Sequence, residues 1–296
     1  MNRTRIERIL CPIDFSAFSV QAYAFASSLA QRSGAKLFVQ HVVEVWRHPS
    51  ACFAATANDY DRFCADLLTQ GKEKLRAFVK SNTKNAVEPE SVICEGMAAD
   101  CILSFARRQA IDLIVIGTHG IGGFERLMLG SITEKVLRKA RCPVLAVAEP
   151  PHGFVAAEAS EHEVELHKII FCTDFSDSSN EAMEYAISVA AEYNANLTLL
   201  HVLEGVSKSH CAAETAKSYQ LLDELIPPQA KLTSRITTTV RVGRAYREIN
   251  ELARDACADL VIMTVHGRNA LDDAVFGSTT YRVLQLGSCP VLAVHP

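Results

Sequence analysis

Short, near-continuously apolar runs alternate along this chain with longer segments whose apolar positions recur every three or four residues, which predicts strands and helices in turn. In the first half the runs Arg8–Ile13, Lys36–Val43, Val87–Cys94, Leu113–Gly117 and Val144–Ala148 read as strands. Between them Ser16–Ser33, Tyr60–Asn82, Ala98–Ala110 and Ser131–Ala140 read as helices. Strands that are apolar on both faces and separated by helices of this length argue βαβ units and a parallel, doubly wound sheet.

The pattern then starts again. Ile9-Leu10-Cys11-Pro12-Ile13-Asp14-Phe15-Ser16 returns as Ile169-Ile170-Phe171-Cys172-Thr173-Asp174-Phe175-Ser176, and the strand ending His41-Val42 returns ending His201-Val202, both displaced by 160 positions (Asp14 to Asp174, His41 to His201). Asp112-Leu113-Ile114-Val115-Ile116 matches Asp259-Leu260-Val261-Ile262-Met263, and Cys142-Pro143-Val144-Leu145-Ala146-Val147 matches Cys289-Pro290-Val291-Leu292-Ala293-Val294, now displaced by 147. The first copy therefore holds a net 13 extra residues (160 less 147) between its second and third strands, around Trp46 to Gln70. Four matched blocks in one order mean duplication. The expected organisation is two tandem Rossmann-like domains, residues 1–149 and 166–296, each an open five-stranded parallel sheet with helices on both faces. A linker over 150–165, carrying two prolines and several acids, joins them.

Composition narrows the function classes. The chain has 296 residues, 49% apolar and 22% charged, with a net charge of −4. Neither half carries a broad basic block, so no nucleic-acid or anionic-membrane partner is expected. The apolar runs fall far short of the roughly 20 residues that span a bilayer. The N-terminus places Glu7 and Asp14 around a very short apolar stretch and does not read as a signal peptide. Ten cysteines without a CxxC pair, several inside strand-like runs, fit reduced thiols in a cytoplasmic protein.

Chemistry concentrates after the fourth strand, where ligands gather in such sheets. There the chain reads Gly117-Thr-His-Gly120, nine further residues, then Gly130-Ser131-Ile132-Thr133 at the start of a helix. Glycines permit close backbone approach, and the first amides of a helix lack internal partners and favour an anion. Ser131 and Thr133 add hydroxyls. A phosphate held there gains about 1.5–3 kcal/mol per hydrogen bond to its charge.

The spacing Gly117-x2-Gly120-x9-Gly130-Ser131 resembles the nucleotide loop of the universal stress protein family, in its ATP-binding branch. The likeness extends through Pro12-Ile13-Asp14-Phe15-Ser16, the strand ending His41-Val42 and Pro143-Val144-Leu145-Ala146-Val147. It implies an adenine nucleotide alpha hydrolase-like fold. It implies that Asp14 takes the ribose hydroxyls, that the Val42 backbone meets the adenine edge and that Gly117 packs beside the ribose. Gly120, Gly130, Ser131 and Ile132 then hold the phosphates through amides and the Ser131 hydroxyl. The expected ligand is ATP, with ADP or AMP as alternatives and Mg²⁺ where the nucleotide brings it. Asp14 also reads as a helix cap competing with Ser16, and His41 and His201 read as strand-end packing.

The second copy retains Asp174, Val202, Gly267, Gly277, Ser278 and Thr279, but Thr264 replaces Gly117, and Asp272-Asp273 bring acids into the loop. If the Gly117 position requires a positive φ, a β-branched residue costs about 1–2 kcal/mol there. Such effects together weaken binding roughly 10–100-fold, which makes the second site weak or vestigial.

No GxxxxGK[ST], no GxGxxG after the first strand and no SGGxDS-type loop occurs, which disfavours P-loop, dinucleotide and adenylating chemistry. Without paired carboxylates at metal spacing beside the loop, the expectation is a nucleotide-sensing regulatory or protective module in stress response rather than an enzyme. A slow ATPase or phosphotransferase recruiting His119, Glu125 and Arg126 is the alternative. A zinc or redox site at His48, Cys52, His210 and Cys211 is a remote one, because their spacing matches no zinc pattern. The last strands, Val144–Val147 and Val291–Val294, are apolar edges. In the family that strand pairs across a dimer, so a tandem chain is expected to form an internal pseudo-dimer, with a further homodimer as an option.

Overall fold

The computed structural model describes residues 6–47, 57–83, 87–120, 128–148, 164–207, 209–233, 235–265 and 277–295. The first copy runs β1 (Arg8–Pro12), α1 (Ala17–Ser33), β2 (Lys36–Val43), a 3₁₀ turn (Val45–Arg47), α2 (Ala57–Asn82), β3 (Glu90–Glu95), α3 (Ala98–Arg108), β4 (Leu113–Gly117), α4 (Ser131–Lys139) and β5 (Val144–Val147). The second runs β6 (Lys168–Cys172), α5 (Asp177–Tyr193), β7 (Asn196–Leu203), α6 (Cys211–Leu225), α7 (Pro228–Thr233), β8 (Ile236–Val242), α8 (Ala245–Asp255), β9 (Leu260–Thr264), α9 (Ser278–Leu286) and β10 (Val291–Val294). The third strand begins later than the apolar pattern predicts. Pro89 has no amide to give a ladder, and pairing with β2 starts at Phe38–Glu90.

Local chemistry sets the helix ends alike in both copies. Ser16 and Ser176 cap α1 and α5 through hydroxyls that accept from the Ser19 and Ser179 amides. Gly34 and Asn194, both left-handed, stop them. Between the second and third strands the first copy has α2, 26 residues long, where the second copy has α6 and the short α7.

Ten strands form one sheet in the order β3-β2-β1-β4-β5-β10-β9-β6-β7-β8. Each half is parallel with order 3-2-1-4-5, so its winding reverses between β1 and β4 (β6 and β9). The halves meet where β5 and β10 pair antiparallel, Val144 with Ala293, Leu145 with Leu292 and Ala146 with Val291. Since 145 and 292 are equivalent across the repeat, as are 144 and 291, this register is itself two-fold symmetric. The internal pseudo-dimer expected from the apolar edges is what the sheet builds. Alternation within the strands supplies two apolar layers. Ile9, Cys11, Val115, Phe171 and Ile262 lie in the layer under α1, α2, α5 and α6, and Leu10, Ile114, Ile170 and Val261 in the layer under α3, α4, α8 and α9.

Candidate functional site

The site region lies beyond the carboxyl ends of β1, β2 and β4. Asp14 follows β1 directly, and its Oδ1 accepts from the Ser16 amide (3.0 Å) and hydroxyl (2.6 Å). Half of the carboxylate thus supports the helix cap. The other oxygen faces Gly120, where an added Cβ would stand 2.7 Å from Asp14 Oδ2. The capping reading of Asp14 is thus met through Oδ1.

Phe15 adopts φ 67° and Phe175 φ 61°, a left-handed conformation that costs a non-glycine residue about 1–2 kcal/mol. Each ring leans on a histidine, Phe15 on His41 at 4.5 Å and Phe175 on His201 at 4.3 Å between centroids. Those histidines use Nδ1 to donate to the carbonyls of Ile13 and Thr173, both at 2.8 Å. Burial holds the His41 pKa below its ordinary value, partly opposed by that hydrogen bond. His41 is accordingly a neutral tie between the ends of β1 and β2, as expected. In the sequence the one signal for the strain at Phe15 is the verbatim return of Asp-Phe-Ser.

Val42 owes its place to strand alternation. The Gln40 carbonyl accepts from Ile13 on the β1 side, and the Val43 carbonyl accepts from Gly96 on the β3 side. Val42 therefore turns its amide and carbonyl toward β1, whose ladder has already ended at Pro12–Gln40. Val202 repeats this beyond Cys172–Leu200.

At α4, Gly130 is the N-cap and no side chain caps the helix. Among the described residues none accepts from the amides of Ser131 and Ile132. The neighbouring helix starts differ: Glu44 Oε1 accepts from Ala98 at the start of α3 (3.1 Å), and Ser16 caps α1. The start of α4 is thus the one among these three left with an anion preference.

Several expectations for this loop change. The Gly130 amide is engaged by the Thr118 carbonyl at 2.9 Å, so Gly130 contributes close approach rather than a donor. The Thr133 hydroxyl is buried and donates to the Gly117 carbonyl at 2.7 Å, pinning α4 to β4 instead of facing a ligand. Gly117 has no positive φ; its missing Cβ is required because Phe18 Cβ, C and O would lie 2.8–3.0 Å away. Thr264 is also without positive φ, and the position equivalent to Phe18 in the second copy is the smaller Ser178. The left-handed penalty expected for the second copy therefore does not arise.

The second copy otherwise repeats the first. The Gly277 amide meets the Val265 carbonyl, the Thr280 hydroxyl meets the Thr264 carbonyl, and Ser278 and Thr279 open α9 with no side-chain cap. One difference is local to Asp174, whose Oδ1 accepts from the Ser176 amide (3.1 Å) and hydroxyl (2.6 Å) and also from the Ser179 hydroxyl (2.6 Å). Its counterpart Ser19 turns instead to the Ser16 carbonyl. Gly267, Asp272, Asp273, Glu125, Arg126, His48 and Cys52 lie outside the described residues. His210 Nδ1 and the Ser207 hydroxyl are hydrogen-bonded at 2.9 Å, and among the described residues no three His, Cys, Asp or Glu gather at metal distance. No described helix is long and apolar enough to cross a membrane.

The family model described as "Universal stress protein family" matches residues 5–148 and again 165–295. The chain belongs to the universal stress protein family. Among curated universal stress proteins, one from Methanocaldococcus jannaschii is 34% identical over 145 residues, covering 49% of this chain and 83% of the relative. Another from Mycolicibacterium smegmatis is 26% identical over 295 residues, covering 97% of both, so this tandem universal stress protein has full-length counterparts. Among solved structures, a universal stress protein from Archaeoglobus fulgidus aligns over 98% of this chain and 97% of that one with a TM-score of 0.68 at 18% identity, which is a likeness of fold.

Proposed function

We propose that this universal stress protein is an adenine-nucleotide-sensing regulatory or protective module of the stress response, binding ATP in its first copy with little or no hydrolysis. One observation carries the reading. Around the winding reversal sit a carboxylate oxygen on Asp14 facing Gly120, an outward amide and carbonyl on Val42, and the open amides of Ser131 and Ile132. These match, in order, a ribose hydroxyl donor, an adenine edge and a polyphosphate. Three apolar side chains of the first copy are exposed, Trp46 after β2, Met97 after β3 and Met128 shortly before α4, and in this reading they offer a rim to a flat base. Mg²⁺ would arrive with the polyphosphate rather than through a protein cage, consistent with how it is usually held.

The second copy binds at least tenfold more weakly in this reading. The extra hydroxyl on Asp174 Oδ1 fixes that carboxylate more firmly to the helix cap and draws off part of its charge, and the acidic pair Asp272-Asp273 repels phosphate. The chain has one tryptophan, Trp46, exposed four residues past Val42, so its fluorescence reports on the first site. Titration of the full chain with ATP should saturate near one tight equivalent. Asp14→Asn keeps an oxygen for Ser16 while removing the charge, and should weaken that equivalent roughly 10–100-fold. Asp174→Asn should leave it unchanged. Equal losses in the two variants would assign ATP to both copies; no loss in either would sink the assignment.

A further inference from the structure

Outside this site, two thiols lie closer than any other described cysteine pair. Cys94, near the end of β3, and Cys101, in the first turns of α3, place their Sγ atoms 2.9 Å apart. Forming a bond of about 2.05 Å needs less than an ångström or so of approach. Both sulfurs also lean on the Glu95 carbonyl, at 3.6 and 3.5 Å. The turn between them is shaped for this contact: Gly96 has φ 136°, and a Cβ there would sit 3.1 Å from Cys101 Sγ. The two thiols differ in access, since Cys94 is partly exposed and Cys101 is buried.

The repeat supplies an internal control. The counterparts of Cys94 and Cys101, displaced by 147, are Arg241 and Glu248, with Gly243 again between them. Those two form an ion pair, Nη1 to Oε2 at 3.5 Å, with both side chains about three-quarters buried. Both members of the pair differ together between the copies while their contact is kept. That is the signature of a tie between the third strand and the following helix. One copy makes it with charges and the other with sulfur. A buried apolar pair would have served packing alone; two thiols in contact add a chemistry that charges lack.

We propose that Cys94 and Cys101 are a redox-active dithiol, oxidised by hydroperoxides to an intramolecular disulfide that ties β3 to α3. The Cys94 thiolate attacks the terminal peroxide oxygen, the O–O bond breaks, and the remaining oxygen leaves as water or an alcohol after taking a proton. Cys94 is then a sulfenic acid. The Cys101 sulfur displaces its hydroxyl, forming the S–S bond and releasing water as the Cys101 proton is lost. Two thiols and one hydroperoxide thus give one disulfide, one water and one further water or alcohol, and the two electrons come from sulfur. Burial, with the hydrogen bond from Cys94, pushes the Cys101 thiol up to about 12, which suits it to resolve rather than initiate. The proposal does not depend on nucleotide binding.

The test uses the reduced full chain, hydrogen peroxide, then N-ethylmaleimide under denaturing conditions and tryptic mass spectrometry. Cys94 and Cys101 share one peptide, with no Lys or Arg between them. As peroxide rises, that peptide should pass from carrying two maleimides to carrying none and being two hydrogens lighter, while most of the exposed Cys257 remains alkylated. With Cys101→Ser the reaction should stop at a sulfenic acid on Cys94 that dimedone traps. The double variant Cys94→Arg/Cys101→Glu, which installs the second copy's pair, should remain folded by circular dichroism and no longer consume peroxide at this peptide. Maleimide on both Cys94 and Cys101 after Cys257 has been oxidised would overturn the proposal, as would undiminished peroxide consumption by the double variant.

Discussion

Asp14 gives one oxygen to the helix cap and turns the other toward Gly120, and in the proposed site it is Gly120 that keeps that second oxygen in place. An alanine Cβ at 120 would lie 2.7 Å from Oδ2, a distance the carboxylate relieves by rotating, because Gly120 has no positive φ to lose. Gly120→Ala is therefore expected to cost under about 1 kcal/mol in denaturant stability yet lower ATP affinity roughly tenfold. In an Asp14→Ala background it should add almost no further loss, since both changes act on one group; full additivity in fluorescence titrations would contradict this coupling. His41 carries a second residue-scale consequence. Its pKa is depressed in the folded chain by burial, so the neutral ring stabilises fully above the unfolded value of 6.5 and that contribution is lost as pH falls through the folded pKa. The denaturation midpoint should drop between about pH 7.5 and pH 5, and His41→Gln should flatten that slope. An unchanged slope in the variant would place the acid sensitivity elsewhere.

At the scale of elements, the strands and helices were legible because their apolar periods are long and uninterrupted, and because each occurs twice. The outline of the candidate site was legible for the same reason, through Asp14, Val42 and the glycine spacing. What the sequence could not show was which groups the fold itself would occupy. Thr133 and Gly130 read as phosphate donors until α4 is seen pinned to β4 through them. Gly117 read as a turn glycine until α1 is seen pressing on it at Phe18. These are tertiary contacts between segments far apart in the chain, and no local pattern encodes them. The packing of α1 and α5 over β5 and β10 holds another such case. Tyr185 on α5 lines a small apolar cavity with Phe25, Leu29, Val189, Leu145 and Leu292, and its hydroxyl is buried with no hydrogen-bond partner among the described residues. Its equivalent in the first copy is Phe25 (displaced by 160). Leaving a hydroxyl unsatisfied in apolar surroundings costs about 1–3 kcal/mol. Tyr185→Phe is thus expected to stabilise the chain by about 1 kcal/mol or more and to raise its melting temperature; a lowered value would mean the hydroxyl has a partner in solution.

The whole molecule is held as one body by a junction that is small in residues and placed on its symmetry axis. The four-residue strands β5 and β10 are buried along their full length, and the self-equivalent pair Leu145–Leu292 marks the axis. Around it Arg32 reaches across to donate to the Glu192 carbonyl at 3.0 Å and covers the Tyr193 ring at 4.2 Å, and the Val164 amide donates to Ser28 at 2.6 Å. Each half alone would present an apolar edge strand ready to pair with another chain. Joining the two in tandem makes that pairing intramolecular, at an effective concentration no separate copies reach. The copies can then diverge, one carrying the candidate nucleotide site and a thiol pair and the other an ion pair in place of the thiols, without losing the sheet. The prediction at this scale concerns the axis itself. Leu145→Lys puts an ammonium beside Leu292 and the apolar cavity, where an unpaired charge costs several kcal/mol, far more than a strand pair of this length returns. The halves should come apart while each keeps its own parallel sheet. Far-ultraviolet circular dichroism should then change little, whereas the hydrodynamic radius should grow and the freed edges should drive concentration-dependent association in sedimentation velocity. A variant that sediments as a compact, concentration-independent monomer would show that the contacts flanking the axis, rather than the β5–β10 pair, join the halves.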